Sequence, residues 1–153
     1  FPLARYLGRG GRIAIGSDSN VCRNPAEELR WLEYGQRLLG HTRAVAATEP
    51  RESVGTRLWS EALSGGAQCM DRRMAMLAPG TRADLVVLDG AHPALDGLAA
   101  EHLLDALVFA TDATPVRDVM VGGRWMVRDG QHAREDEIAI AWAAARADLL
   151  RDA

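Results

Sequence analysis

The chain has 153 residues, 48% of them hydrophobic, with 18 basic and 21 acidic side chains and a formal net charge of −3. This length and apolar content suffice for a buried core and do not fit a disordered chain. Neither sign of charge gathers into a long run, so neither a nucleic-acid surface nor a membrane surface is expected.

The apolar runs LVVL at residues 85–88 and ALVFA at residues 106–110 are far shorter than the ~20 residues of a membrane-spanning helix. Cys22 and Cys69 fit no CxxC spacing, which leaves a structural zinc site or a disulfide framework without support and makes a reducing, cytoplasmic setting the expectation. The N-terminal FPLARYLGRGG has no initiator Met, no basic leader and no signal-peptide core, and the expectation is that the chain begins within a longer protein.

In chain order, Arg12–Gly16 (RIAIG) reads as a short β-branched strand running into the polar cluster Ser17, Asp18, Ser19 and Asn20. Asn24 caps a helix over residues 25–39, with Pro25 at its first position, Glu27 three residues after the cap, and Leu29, Trp31, Leu32, Leu38 and Leu39 as apolar positions. A second helix is predicted over residues 51–64, with Val54, Leu58, Ala62 and Leu63 on one side and Gly65 and Gly66 as its stop. After a turn at Leu77, Ala78, Pro79 and Gly80, ADLVVLDG (83–90) is a strand and residues 91–98 are loop. Residues 101–110 fit a short helix or a strand. The segment VRDVMVGGRWMVRDG (116–130) carries two β-type runs around Gly122 and Gly123, a hairpin signature. Glu135 to Leu150 closes the chain as an alanine-rich helix, with Ile138, Ala141, Trp142, Ala145 and Leu149 at helical spacing. An α/β part to about residue 66 therefore joins a small β-rich part and a terminal helix, and each is expected to complete a structure begun upstream.

The sharpest candidate for chemistry is GSDSN, residues 16–20. It stands at the carboxyl end of a predicted strand, where α/β barrels gather catalytic side chains. Asp18 can ligate a cation or accept a proton there; the plain alternative is that it caps a turn. His41, His92, His102 and His132 form no HxH and no HExxH, so they argue for no pair of metal ligands. Glu27, Glu28 and Arg30 lie near the Asp18 loop and read either as substrate contacts or as support, and Cys22 has no histidine partner to make it a catalytic thiol.

GGRIAIGSDSN followed by EELRWLEYGQRL resembles the end of the catalytic barrel of formimidoylglutamate deiminases, members of the amidohydrolase superfamily. LAPGTRADLVVLD with VRDVMVGGRWMVRDGQH is similar to the carboxy-terminal portion of many amidohydrolases, where it completes a small β-sandwich. The resemblance implies an α/β fold: the last strand and helices of a (β/α)8 amidohydrolase barrel in residues 1–70, then the C-terminal part of a small β-sandwich and a terminal helix in residues 71–153. It makes RIAIG the eighth strand and Asp18 both a metal ligand and the catalytic carboxylate. It implies zinc, Zn²⁺, whose remaining ligands would come from histidines upstream, and a homodimer as the complete protein. The reaction implied is hydrolysis of N-formimidoyl-L-glutamate to N-formyl-L-glutamate and ammonia. Asn20 stands where many relatives carry His, and Cys22 where a small polar residue is more familiar. Two further readings are another deaminase or chlorohydrolase of the same superfamily, and a non-catalytic binding or assembly module.

Overall fold

The computed structural model describes residues 1–18, 22–47, 53–73 and 76–151. They form two compact units, Phe1–Arg82 with Asp89–Pro115, and Ala83–Leu88 with the chain from Val116 onward. The described fold is mixed α/β, with its four strands in one antiparallel sheet. No helix among the described residues is long and apolar enough to cross a membrane.

The first unit is helical. It holds α1 (Leu3–Leu7), α2 (Pro25–Gly40), α3 (Val54–Cys69) and, after a single 3₁₀ turn at Ala100–His102, α4 (Leu103–Phe109). Leu3, Leu7, Ile13, Leu29, Ala46, Val54, Leu58, Ala62 and Val108 pack as its core. The segment expected to be helix or strand at 101–110 is thus helix.

Asn24 starts α2 as expected, its side chain accepting from the Ala26 N–H with Pro25 at the first position. Ala26, Leu29 and Glu33 form the buried stripe, spaced by three and four residues as a helix face requires. That choice of face turns other predicted core positions outward: Trp31 is 60% exposed and Leu38 and Leu39 are each 76% exposed. Glu33 is fully buried and its carboxylate accepts from Val45 N at 2.8 Å, Ala46 N at 3.0 Å and Arg37 Nε at 2.8 Å. One charged side chain thereby satisfies the backbone of the loop that follows α2.

The second helix does not stop at its glycines. Residues 51 and 52 lie outside the described residues, and α3 runs from Val54 through Gly65 and Gly66 to Cys69, with Ser53 as cap. Gly65 is there for close approach, since a Cβ on it would stand 1.8 Å from the Ile13 carbonyl oxygen. Gly55 plays the same part at the other end of α3, where a Cβ would meet the Leu104 carbonyl oxygen at 2.4 Å. The Gly55 N–H also donates to Asp105 Oδ1 at 2.7 Å, so α4 is held to the start of α3 by packing and by a charged acceptor.

The Arg12–Gly16 run, expected as a strand, pairs with no strand among the described residues. Its sequence is suited to a sheet, but a strand exists only through a ladder with a neighbour, and this unit presents none. The run lies instead on the helices through Ile13.

In the second unit β1 (Leu85–Leu88), β2 (Val116–Val121), β3 (Arg124–Arg128) and β4 (Gln131–His132) lie in that order, each antiparallel to the next. Gly122 and Gly123 make the predicted hairpin turn, both at positive φ (56° and 80°), as a tight turn of matching twist demands. Gly122 N donates to Asp84 Oδ1 at 2.7 Å. Asp118 is buried and fixes the next turn, accepting from Asp129 N at 2.9 Å and from Arg117 Nε at 2.9 Å. The Asp129 N–H first, and the Arg117 guanidinium second, hold its carboxyl below the usual carboxylate range. The closing helix α5 (Glu135–Arg151) buries none of its residues.

The two glycines of α3 should respond oppositely to alanine. Gly65→Ala is expected to cost about 1–3 kcal/mol by overpacking against Ile13. Gly66→Ala meets nothing within 4 Å and is expected to gain about 0.5–1 kcal/mol from helix propensity. Denaturant unfolding of both variants checks this; shifts of the same sign would contradict the close-approach role of Gly65.

Candidate functional site

Asp18 follows the run that Ile13 seats on α3. Ile13 is 9% exposed, while Ile15 lines a shallow apolar groove with Pro25, Leu29, Trp59, Ala62 and Leu63. Residues 12, 14, 15 and 16 are exposed, Ile15 to 37%, so Ile13 is the one buried residue of the run. Asp18 follows, exposed at φ 41°. A left-handed backbone here is tolerated by Asp and Asn better than by other L-residues. Ser19 and Asn20, expected beside it, lie outside the described residues.

The next turn carries a polar cluster. Cys22 Sγ donates to Glu27 Oε2 at 2.9 Å, Trp31 Nε1 donates to Glu27 Oε1 at 3.3 Å, and Asn24 N donates to Cys22 Sγ at 3.3 Å. The sequence suggests a reciprocal cap in which Glu27 reaches back to the Asn24 N–H. The Cys22 sulfur takes that N–H instead, and Glu27 serves the thiol and the indole. These two bonds, the thiol's first, hold Glu27 below the usual carboxylate range. In return the Glu27 hydrogen bond, as the leading cause, pushes the Cys22 thiol up. A thiol kept protonated is a poor nucleophile, which agrees with the absence of a histidine partner.

Arg30 is engaged with backbone carbonyls. Its Nε donates to the Val108 carbonyl in the last turn of α4 and its Nη2 to the Thr111 carbonyl just beyond the helix at 2.6 Å, placing a cation at the helix C-terminus, where the dipole favours one. Arg37 lies over the rings of Tyr34 and Phe109, 5.2 and 5.1 Å from their centroids, so it too is engaged in packing α2 on α4. His92 and His132 use Nδ1 to accept from Ala94 N and Arg134 N, and His41 ends α2 in the left-handed region. No group of three or more His, Cys, Asp and Glu among the described residues is placed to hold a metal ion. Both cysteines are free. Sequence reasoning missed Glu33, although its spacing of four from Arg37 is the available signal.

Removing the acceptor should release the thiol. In a Cys69→Ser background, Glu27→Ala is expected to lower the Cys22 pKa and speed its alkylation at fixed, mildly alkaline pH. Unchanged or slower alkylation would contradict the assigned bond.

No protein-family model matches the chain. Among curated proteins, the formimidoylglutamate deiminase of Pseudomonas aeruginosa is 47% identical over 150 residues, covering 98% of this chain and 33% of that protein. Among solved structures, an amidohydrolase from Brucella melitensis superposes with a TM-score of 0.86 at 37% identity, over 98% of this chain and 33% of that one. An adenosine deaminase from Xanthomonas campestris, solved with bound zinc, shares the fold with a TM-score of 0.76 at 22% identity, over 99% of this chain and 34% of its own. The chain spans about a third of the length of these relatives. In sequence and in fold, over nearly all of its residues, the chain matches the carboxy-terminal third of formimidoylglutamate deiminase and of its amidohydrolase homologue.

Proposed function

We propose that this chain forms part of a zinc-dependent amidohydrolase that deiminates N-formimidoyl-L-glutamate, and that it contributes the metal-associated aspartate, Asp18. The observation that carries this reading is the 47% identity with the Pseudomonas deiminase across 150 residues. The placement of Asp18 supports it. The Arg12–Gly16 run is seated on the helices by Ile13 and is otherwise exposed, which leaves it open to the neighbours that the eighth strand of a (β/α)8 barrel would have, and Asp18 follows at its carboxyl end, where such barrels place their chemistry. Under this reading residues 1–70 close the barrel, and residues 71–153 carry the sandwich portion and the terminal helix, with 89–115 sent back to pack on α2 and α3.

The donor chemistry fits zinc in kind and not in number. A carboxylate oxygen is an ordinary zinc ligand, but a catalytic site uses about three protein ligands, and the described residues bring no such set together. The other ligands would come from the part of the relatives that this chain does not span. When bound, zinc supplies Lewis-acid activation of water at neutral pH. Asp18 then takes the proton of the attacking water and delivers it to the departing nitrogen, a transfer that needs a carboxylate within hydrogen-bond reach of both.

The test joins this chain to the preceding two thirds of the Pseudomonas deiminase and measures turnover of N-formimidoyl-L-glutamate. The hybrid is expected to be active, and the 153-residue chain alone inactive with or without zinc. Asp18→Asn in the hybrid should lower kcat by about 10²–10⁴-fold with little change in Tm, because Asn tolerates the left-handed backbone. Asp18→Ala should add about 1–2 kcal/mol of backbone strain to the same loss. Near-normal kcat with a lowered Tm in Asp18→Asn would make the residue a turn cap and overturn the assignment.

A further inference from the structure

The chain between Asp18 and α2 is tied to the helix by a set of bonds that the proposed reaction does not use. Cys22 stands four residues after Asp18. Its sulfur accepts from Asn24 N at 3.3 Å, and its thiol donates to Glu27 Oε2 at 2.9 Å. Glu27 lies in the first turn of α2, which Ala26 and Leu29 fix in the core. Held below the usual carboxylate range, Glu27 is ionised at neutral pH and accepts with both oxygens at once, Oε1 taking Trp31 Nε1 at 3.3 Å.

The Asn24 cap by itself fixes the backbone at residue 24. The thiol moves that anchor to Cys22, two residues nearer to Asp18. On the other side of Asp18 the anchor is Ile13, seated in the core opposite Gly65. A segment closed by a shorter tether has less freedom to lose, and a catalytic carboxylate works only when held within about 0.5 Å of its productive place. Helix capping does not account for Glu27, because the Asn24 N–H that a capping box would give it goes to the sulfur. We infer that Glu27 is a positioning residue for Asp18, acting through the Cys22 thiol to hold the downstream end of the segment that carries the carboxylate. The inference rests on the assignment of Asp18 to catalysis, and Glu27 acts at one remove from the reacting atoms.

The hybrid enzyme tests it through kcat and KM for N-formimidoyl-L-glutamate, Tm, and hydrogen exchange of peptides spanning residues 16–24. Glu27→Ala and Cys22→Ala should each lower kcat about 10–100-fold with KM little changed, and should speed exchange in that segment. Both break one link, so the double variant should be no slower than either alone. Cys22→Ser, whose hydroxyl both donates and accepts, should restore most of what Cys22→Ala loses. In an Asp18→Asn background Glu27→Ala should cost nothing further in kcat, since no carboxylate is left to position. Normal kcat in Glu27→Ala beside a collapsed kcat in Asp18→Asn would overturn the positioning role and leave the assignment of Asp18 standing. Losses that multiply in the double variant or in the Asp18→Asn background would do the same. An inactive hybrid, or near-normal kcat in Asp18→Asn, would overturn both.

Discussion

The Ile13 carbonyl lies so close to α3 that only a glycine can stand opposite it. This backbone-to-helix contact determines where the run that precedes Asp18 can lie. With Gly65 in place, Ile13 enters the core beside Leu58 and Ala62, and Ile15, still exposed, borders the groove between α2 and α3. A methyl group at residue 65 would lift the run from the helices and carry Asp18 with it. Gly55 imposes the same intimacy at the other end of α3, where Leu104 of α4 approaches. The helix is thus pinned at both ends by contacts that exclude side chains.

Charged groups finish what these contacts begin, and most are committed to structure. Glu33 organises the loop after α2, Arg30 holds the end of α4, Asp105 holds the start of α3, and Asp118 fixes a turn of the sheet. Each meets a backbone donor or acceptor; where that group is buried, as at Ala46, Gly55 and Val108, leaving it without a partner would cost about 1–3 kcal/mol. Asp18 differs from this set in being exposed at positive φ, a state that Asp71 and Asp129 share. Its assignment to chemistry is a proposal that rests on its place after the Arg12–Gly16 run.

Local rules made much of the fold legible. The Asn24–Pro25 start of α2, the Gly122–Gly123 turn and the closing helix all follow from capping, turn and periodicity signals carried by adjacent residues. What could not be read locally depended on neighbours far along the chain. Gly65 looked like a helix stop because its actual role, room for Ile13, joins residues 52 positions apart. Trp31, Leu38 and Leu39 looked like core because their apolarity is visible and the choice of the Ala26–Leu29–Glu33 face is not. The RIAIG run has strand chemistry without a strand beside it. At the candidate site, the place of Asp18 directly after that run was legible, and its role is a proposal. The Cys22–Glu27–Trp31 cluster was hidden because Glu27, three residues after the Asn24 cap, reads as a capping-box residue, whereas its carboxylate serves the thiol five residues before it and the indole four after.

Whether Asp18 meets a metal, as proposed, can be seen directly. Anomalous diffraction at the zinc edge, on crystals of the hybrid in which this chain follows the remaining two thirds of the deiminase, addresses it directly. The account predicts a single strong peak about 2.0–2.2 Å from an Asp18 carboxylate oxygen. A fully occupied zinc site with Asp18 outside its coordination shell would contradict it.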